Sequence, residues 1–137
     1  MQERQQMKLK KRQQTSNLSS YVPSGLIAKT EKGYFYIKGN KRFKFISDKA
    51  MQTWNLKIVN TTEAYISNIK ICGNLGFRDG TLIKDISSSK IYLISDSKKR
   101  HVVDPQVLVD LNYSKQDIIM VSQKEAGCHM EGERING

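Results

Sequence analysis

Short runs of aromatic and β-branched residues recur along this chain, separated by glycines, asparagines and short charged stretches. Tyr34-Phe35-Tyr36-Ile37 and Phe43-Lys44-Phe45-Ile46 lie on either side of Gly39-Asn40, which predicts a hairpin with a tight bend. Phe43 and Phe45 flank Lys44, so one face turns inward and the other to solvent. Ser47-Asp48 then supplies an N-cap, and Ala50, Met51 and Trp54 fall at helical spacing, predicting a short helix before residues 56–59 return to strand. Further on, residues 90–95 and 99–103 flank a polar Asp96-Ser97-Lys98 turn. Asp104-Pro105 opens a second helix with Val107, Leu108 and Leu111 inward, and Asn112-Tyr113 ends it. Residues 117–122 form the next strand, and 123–127 read as a turn of helix closing on glycine. Gly73-Asn74, Asp79-Gly80 and the stretch 21–25 read as turns.

The same order of elements therefore occurs twice. Gly25-Leu26-Ile27-Ala28-Lys29 returns as Gly80-Thr81-Leu82-Ile83-Lys84, Tyr34-Phe35-Tyr36-Ile37 as Ile91-Tyr92-Leu93-Ile94, and Lys41-Arg42 as Lys99-Arg100. The offset grows from about 55 residues at Gly25 to about 58 at the Lys-Arg pair and about 60 at the last strand, as short loop insertions would produce. The expected fold class is α+β, mostly β: two tandem related modules, each a small hairpin-based antiparallel sheet with one short helix. The expected division is a flexible basic arm over residues 1–20, module 1 over 21–76 and module 2 over 77–137. A module of this size buries too little surface to be stable alone, so each is expected to pack on its twin or on a partner.

Charge sharpens the picture. The 137 residues carry a formal net charge of +10, which suits an anionic partner. Arg4, Lys8, Lys10, Lys11 and Arg12 form one cluster against the single acid Glu3, and Lys41, Arg42, Lys99 and Arg100 sit at equivalent points of the two repeats. These nine residues are the candidate partner-binding set. Two competing readings stay open for the paired cations: a solvated edge strand guarded by lysines, or matching basic patches for acidic faces or phosphates. Tyr34, Tyr36 and Tyr92 beside them are either core residues or stacking platforms.

The remaining chemistry is sparse. Asp104 near His101 is explained by helix capping, so no catalytic residues are assigned. Cys72 and Cys128 are expected to be free, partly buried thiols, and the adjacent Cys128-His129 has poor zinc spacing, so no metal is assigned. No glycine-rich loop leads from a strand into a helix, and no cofactor is expected. No run of eighteen apolar residues is present, so no membrane contact is expected.

Gly-x-Leu-Ile-Lys, Ile-Tyr-Leu-Ile, Lys-Arg, Asp-Pro-x-Val-Leu-x-x-Leu-x-Tyr, Ile-Ile-x-Val-Ser and the closing Gly132 to Ile135 resemble a short tandem β-rich repeat. That repeat occurs in bacterial surface proteins and in virion structural proteins of tailed bacteriophages. The resemblance covers roughly residues 22 to 135 and implies a non-enzymatic structural or adaptor protein. Between a cell surface and a virion, the lack of an apolar leader favours the virion, assembled in the host cytoplasm. The implied partners are other virion structural proteins, in multiple copies within a capsid, tail or baseplate, with nonspecific DNA contact through the arm as a further expectation. A basic nucleic-acid-binding protein and a cell-envelope repeat protein are the alternatives.

Overall fold

Two-residue turns set the register of both hairpins. The structure, a computed structural model, describes residues 22–136. In chain order the elements are β1 (Ile27–Thr30), β2 (Gly33–Lys38), β3 (Lys41–Phe45), α1 (Asp48–Gln52), β4 (Ile58–Asn60) and β5 (Lys70–Leu75). They continue with β6 (Leu82–Asp85), β7 (Ile91–Ser95), β8 (Lys98–His101), α2 (Gln106–Asp110), β9 (Ile118–Val121) and α3 (Gln123–Ala126). The first sheet has the order β4-β1-β2-β3-β5 and the second β8-β7-β6-β9. The protein is thus α+β and mostly β.

The duplication is topological as well as sequential. β1 pairs antiparallel with β2 and parallel with β4, and β6 does the same with β7 and β9. Where β5 flanks β3 in the first sheet, the second has, among the described residues, two isolated parallel bridges, Lys99 to Glu131 and Val102 to Ile135. β5 itself is a correction to the sequence reading, because Gly73-Asn74 is not a turn but lies inside that strand, with Gly73 at φ 144°.

A second correction concerns register. The β7–β8 turn is Asp96-Ser97, both at positive φ (52° and 63°), and Lys98 is already paired with Ser95. Two consecutive positive-φ residues match the right-handed twist of a hairpin, which a longer turn including Lys98 would not require. In the first hairpin Ile37 faces Arg42 and Tyr36 faces Phe43; in the second Ile94 faces Lys99 and Leu93 faces Arg100. The structural equivalents are therefore Arg42 with Lys99 and Phe43 with Arg100, one residue away from the match by Lys-Arg identity. In a strand that single step changes the face.

By contacts the chain forms two compact units. One holds residues 22–44 with Leu56–Gly73, the other Phe45–Asn55 with Asn74 onward. The segment carrying α1, expected in module 1, accordingly belongs to the second unit. In the first unit Ala28, Phe35 and Ile37 turn one way and pack with Leu26, Ile66, Ile69 and Val22. The second sheet is covered on both faces. Ile83, Tyr92 and Ile94 pack with Ala50, Phe77, Val121, Ala126, Ile46 and Ile119, while Leu82, Leu93 and Ile118 pack with Val102, Leu108, Val107 and Tyr113.

Local signals explain the helices. Ser47 caps α1 by accepting from the Ala50 N–H. At α2 the cap position is Pro105, one residue later than the aspartate cap expected, and Asp104 accepts from the Gln106 N–H just ahead of it. α2 ends at Asp110, Asn112 turns left-handed at φ 64°, and Leu111 is 51 % exposed rather than inward as its spacing suggests. Ser122 and Glu125 form a reciprocal capping box on α3. Gly127 after it has φ −67°, an ordinary helical value, so it is not a left-handed cap.

Candidate functional site

The basic pairs divide by face. Arg42 is 5 % exposed, its Nη1 donates to Glu63 Oε2 at 2.9 Å, and its Nε donates to the Ile69 carbonyl at 2.8 Å. The guanidinium lies 4.6 Å from the centre of the Phe35 ring, and the Thr30 hydroxyl donates to the same Glu63 oxygen at 2.6 Å. Arg42 holds the Glu63 carboxyl below the usual carboxylate range, against the opposing effect of burial. The second unit repeats this device in weaker form. Lys99 lies 5.1 Å from the centre of the Tyr92 ring and 3.9 Å from Glu131, with its side chain largely covered.

Arg42 and Lys99 thus face inward, each onto the ring at the equivalent position of its unit. Lys41 is exposed on the opposite face of its strand. Arg100 is half-buried, and its Nε donates to the Glu133 carbonyl at 2.8 Å. Lys98, absent from the candidate set, is exposed beside it. Arg4, Lys8, Lys10, Lys11 and Arg12 lie outside the described residues.

The aromatic candidates divide similarly. Tyr92 is 4 % exposed and is core; its ring lies 5.6 Å from that of His101. Tyr34 and Tyr36 are half-buried, with Lys29 Nζ 5.6 Å from the centre of the Tyr34 ring. Cys72 and Cys128 are free and exposed, not partly buried as expected, because β5 presents Cys72 outward and Cys128 follows α3 on the surface. Among the described residues no group of three or more His, Cys, Asp or Glu is placed to hold a metal, and no helix is long and apolar enough to cross a membrane.

One side chain that the sequence reading weighed only as a zinc ligand, His129, ties the second unit together. His129 is 6 % exposed; its Nε2 accepts from the Phe77 N–H at 3.0 Å, so Nδ1 donates to the Ser97 carbonyl at 2.6 Å. A Cβ on Gly76 would collide with that imidazole. The only sequence signal was a glycine just before Phe77, which is too common to single out.

Apolar surface is the other feature. A cleft of about 500 Å³ in the first unit is lined by Val22, Pro23, Leu26, Ala28, Val59, Asn60, Thr61 and Tyr65. In the second unit Val103, Val109 and Leu111, on and around α2, are 46 %, 66 % and 51 % exposed. Large apolar side chains grouped on a surface mark interaction sites more often than scattered ones do. No family model, curated protein or solved structure matches the chain.

Proposed function

We propose that this is a non-enzymatic structural or adaptor protein of a tailed-bacteriophage particle, a capsid, tail or baseplate component present in multiple copies. The observation that carries the structural reading is the duplication itself: one strand order built twice, each copy using its cations and aromatics for its own packing. Repetition multiplies surface, whereas an active site needs one convergent set of groups. The surface left over is apolar around α2 and in the first-unit cleft, and basic at Lys41 and Lys98. Neighbouring subunits are the partners such surfaces suit, with the basic arm as an additional anchor. The assignment to a virion rests on the resemblance of the repeat.

Mass spectrometry of purified particles tests it. The chain should copurify at a fixed stoichiometry, and its absence from particles would refute the virion assignment. The net charge of +10 favours a second reading, nonspecific nucleic-acid binding. That reading requires affinity for duplex DNA that falls steeply with salt, with a slope that shrinks when arm cations are replaced.

A further inference from the structure

The two units differ in what lies over one face of their sheets. Hydrogen-bonding register and burial match Ala28 with Ile83, Phe35 with Tyr92, Ile37 with Ile94, and Ile66 with Ala126. Carried around this face, the match equates the cleft residues Val22, Leu26, Ala28, Val59, Asn60 and Tyr65 with Phe77, Thr81, Ile83, Ile119, Met120 and Glu125. In the second unit that position is filled by the segment carrying α1. Ile46 and Ala50 join the cluster of Phe77, Ile83, Ile119 and Val121, and Lys49 Nζ donates to the Met120 carbonyl at 2.7 Å. Glu125 faces the same segment. Burial pushes its carboxyl up, but the Ser122 N–H, the hydroxyls of Ser47 and Ser122 and the Lys49 ammonium outweigh this and leave it lowered.

The first unit thus has the socket, and its cleft is where the corresponding helix would lie. The knob that fits also exists. Aligning the left-handed ends Asn55 and Asn112, and with them Ser47 and Asp104, whose side chains each accept a backbone N–H at the entry to a helix, equates Ile46, Ala50 and Trp54 with Val103, Val107 and Leu111. Ile46 and Ala50 are part of a core cluster, whereas Val103 and Leu111 are about half exposed. Val107, between them, is half-buried against Leu82, Val102 and Leu108 of its own unit, so the free part of the ridge is Val103 and Leu111.

We propose that the occupant is a second copy of this chain: the α2 segment of one molecule, through the exposed Val103 and Leu111 that flank the helix, docks in the cleft of the next in the way the α1 segment docks within the second unit. The contact is heterologous, so it propagates into a ring or an open chain. Residues 1–20 of the same chain are the rival occupant. They offer only Met1, Met7, Leu9 and Leu18 as apolar side chains and no counterpart of the helix entry and ridge shared by the α1 and α2 segments. The inference deepens the adaptor reading by naming one neighbouring subunit.

The test uses the full-length chain. A knob variant, Val103→Asp with Leu111→Asp, and a socket variant, Val59→Asp with Tyr65→Asp, are measured by light scattering coupled to size-exclusion chromatography. All four residues are at least 38 % exposed, and circular dichroism checks that each variant is folded; Leu111→Ser and Val59→Ser replace any that is not. The wild type should grow in mean mass beyond a dimer as concentration rises to about 1 mM. Each variant alone should stay monomeric, and an equimolar mixture should form a one-to-one pair and nothing larger, since each supplies the half the other lacks. A wild type that stays monomeric, a variant that assembles unaided, or a mixture that does not pair would overturn the proposal. The rival arm-filled socket predicts a mixture that does not pair. A failed pairing with copurification from particles would remove self-association alone, and absence from particles would remove the virion assignment alone.

Discussion

Replacing Arg42 by methionine should destabilise the first unit by about 3 kcal/mol, the low end for breaking a buried ion pair from one side. The change removes two hydrogen bonds, to Glu63 Oε2 at 2.9 Å and to the Ile69 carbonyl at 2.8 Å, while keeping an unbranched apolar stem over Phe35. Charge-assisted bonds contribute roughly 1.5–3 kcal/mol each, and an unpaired buried acceptor adds a penalty. Two features hold the cost down: the Thr30 hydroxyl still donates to Glu63, and the Glu63 side chain is 16 % exposed and so reaches water. Glu63→Gln should cost less, about 1–2 kcal/mol, because an amide oxygen can still accept from Arg42. The double variant should fall short of the summed single effects by about 1 kcal/mol or more, as expected for groups in direct contact. Urea titrations at pH 7 measure all three, with Lys41→Ala as an exposed reference expected within about 0.5 kcal/mol of wild type. The pH dependence follows from the lowered carboxyl. A carboxylate more acidic in the folded than in the unfolded chain stabilises fully above the unfolded value, about 4.3, and this is lost as pH falls through the folded value. Wild type should therefore lose part of its stability below about pH 4.3, less so in Arg42→Met, and that contribution should be absent in Glu63→Gln. An Arg42→Met protein as stable as Lys41→Ala, with the wild-type acid profile, would refute the inward role assigned to this arginine.

Three further outcomes follow from the geometry. Lys99→Met should cost under about 1 kcal/mol by the same titration, because its carboxylate partner is 3.9 Å away and 64 % exposed. Gly76→Ala should lower the melting temperature by an amount equivalent to about 2 kcal/mol or more, since its methyl displaces the His129 imidazole from the Phe77 N–H; a melt within experimental error of wild type would contradict the packing described. Both Cys72 and Cys128 should react with a thiol reagent in the native protein as fast as in urea, given their exposure; protection of either would mean that its surface is covered in solution.

The hairpins were legible in the sequence because alternation and turn chemistry agree there, as at Gly39-Asn40, where Gly39 takes φ 61°. The α1 cap was legible for the same reason, whereas at α2 the proline takes the cap position expected of Asp104. β5 was not, since Gly-Asn within a short strand has the composition of a turn, and only its pairing beside β3 holds Gly73 extended there. Leu111 follows the helical spacing of Val107 and Leu108, yet the helix stops one residue before it, and periodicity does not register where a helix ends. Placing α1 in the second unit lay beyond any local pattern: it depends on which sheet offers Ile46 and Ala50 an apolar face.

The one-residue step at the Lys-Arg pairs bears most directly on function. Matched by residue identity, Arg100 answers to Arg42, and the duplication looks like two copies of a basic patch. Matched by strand face, Lys99 answers to Arg42, each cation beside an aromatic ring and a carboxylate of its own unit, and the duplicated element becomes a packing device. What two copies of one fold have in common is what the fold needs, so specificity for a partner is better sought where they differ. They differ at the socket, floored by Ile83 and filled by α1 in one unit but floored by Ala28 and open in the other. They differ again at the ridge, buried as Ile46 and Ala50 in one copy and exposed as Val103 and Leu111 in the other. A tandem pair that uses its repeating contact once leaves one half of it free at each end, and under the proposed docking it is apolar shape, more than the net positive charge, that would select the neighbour.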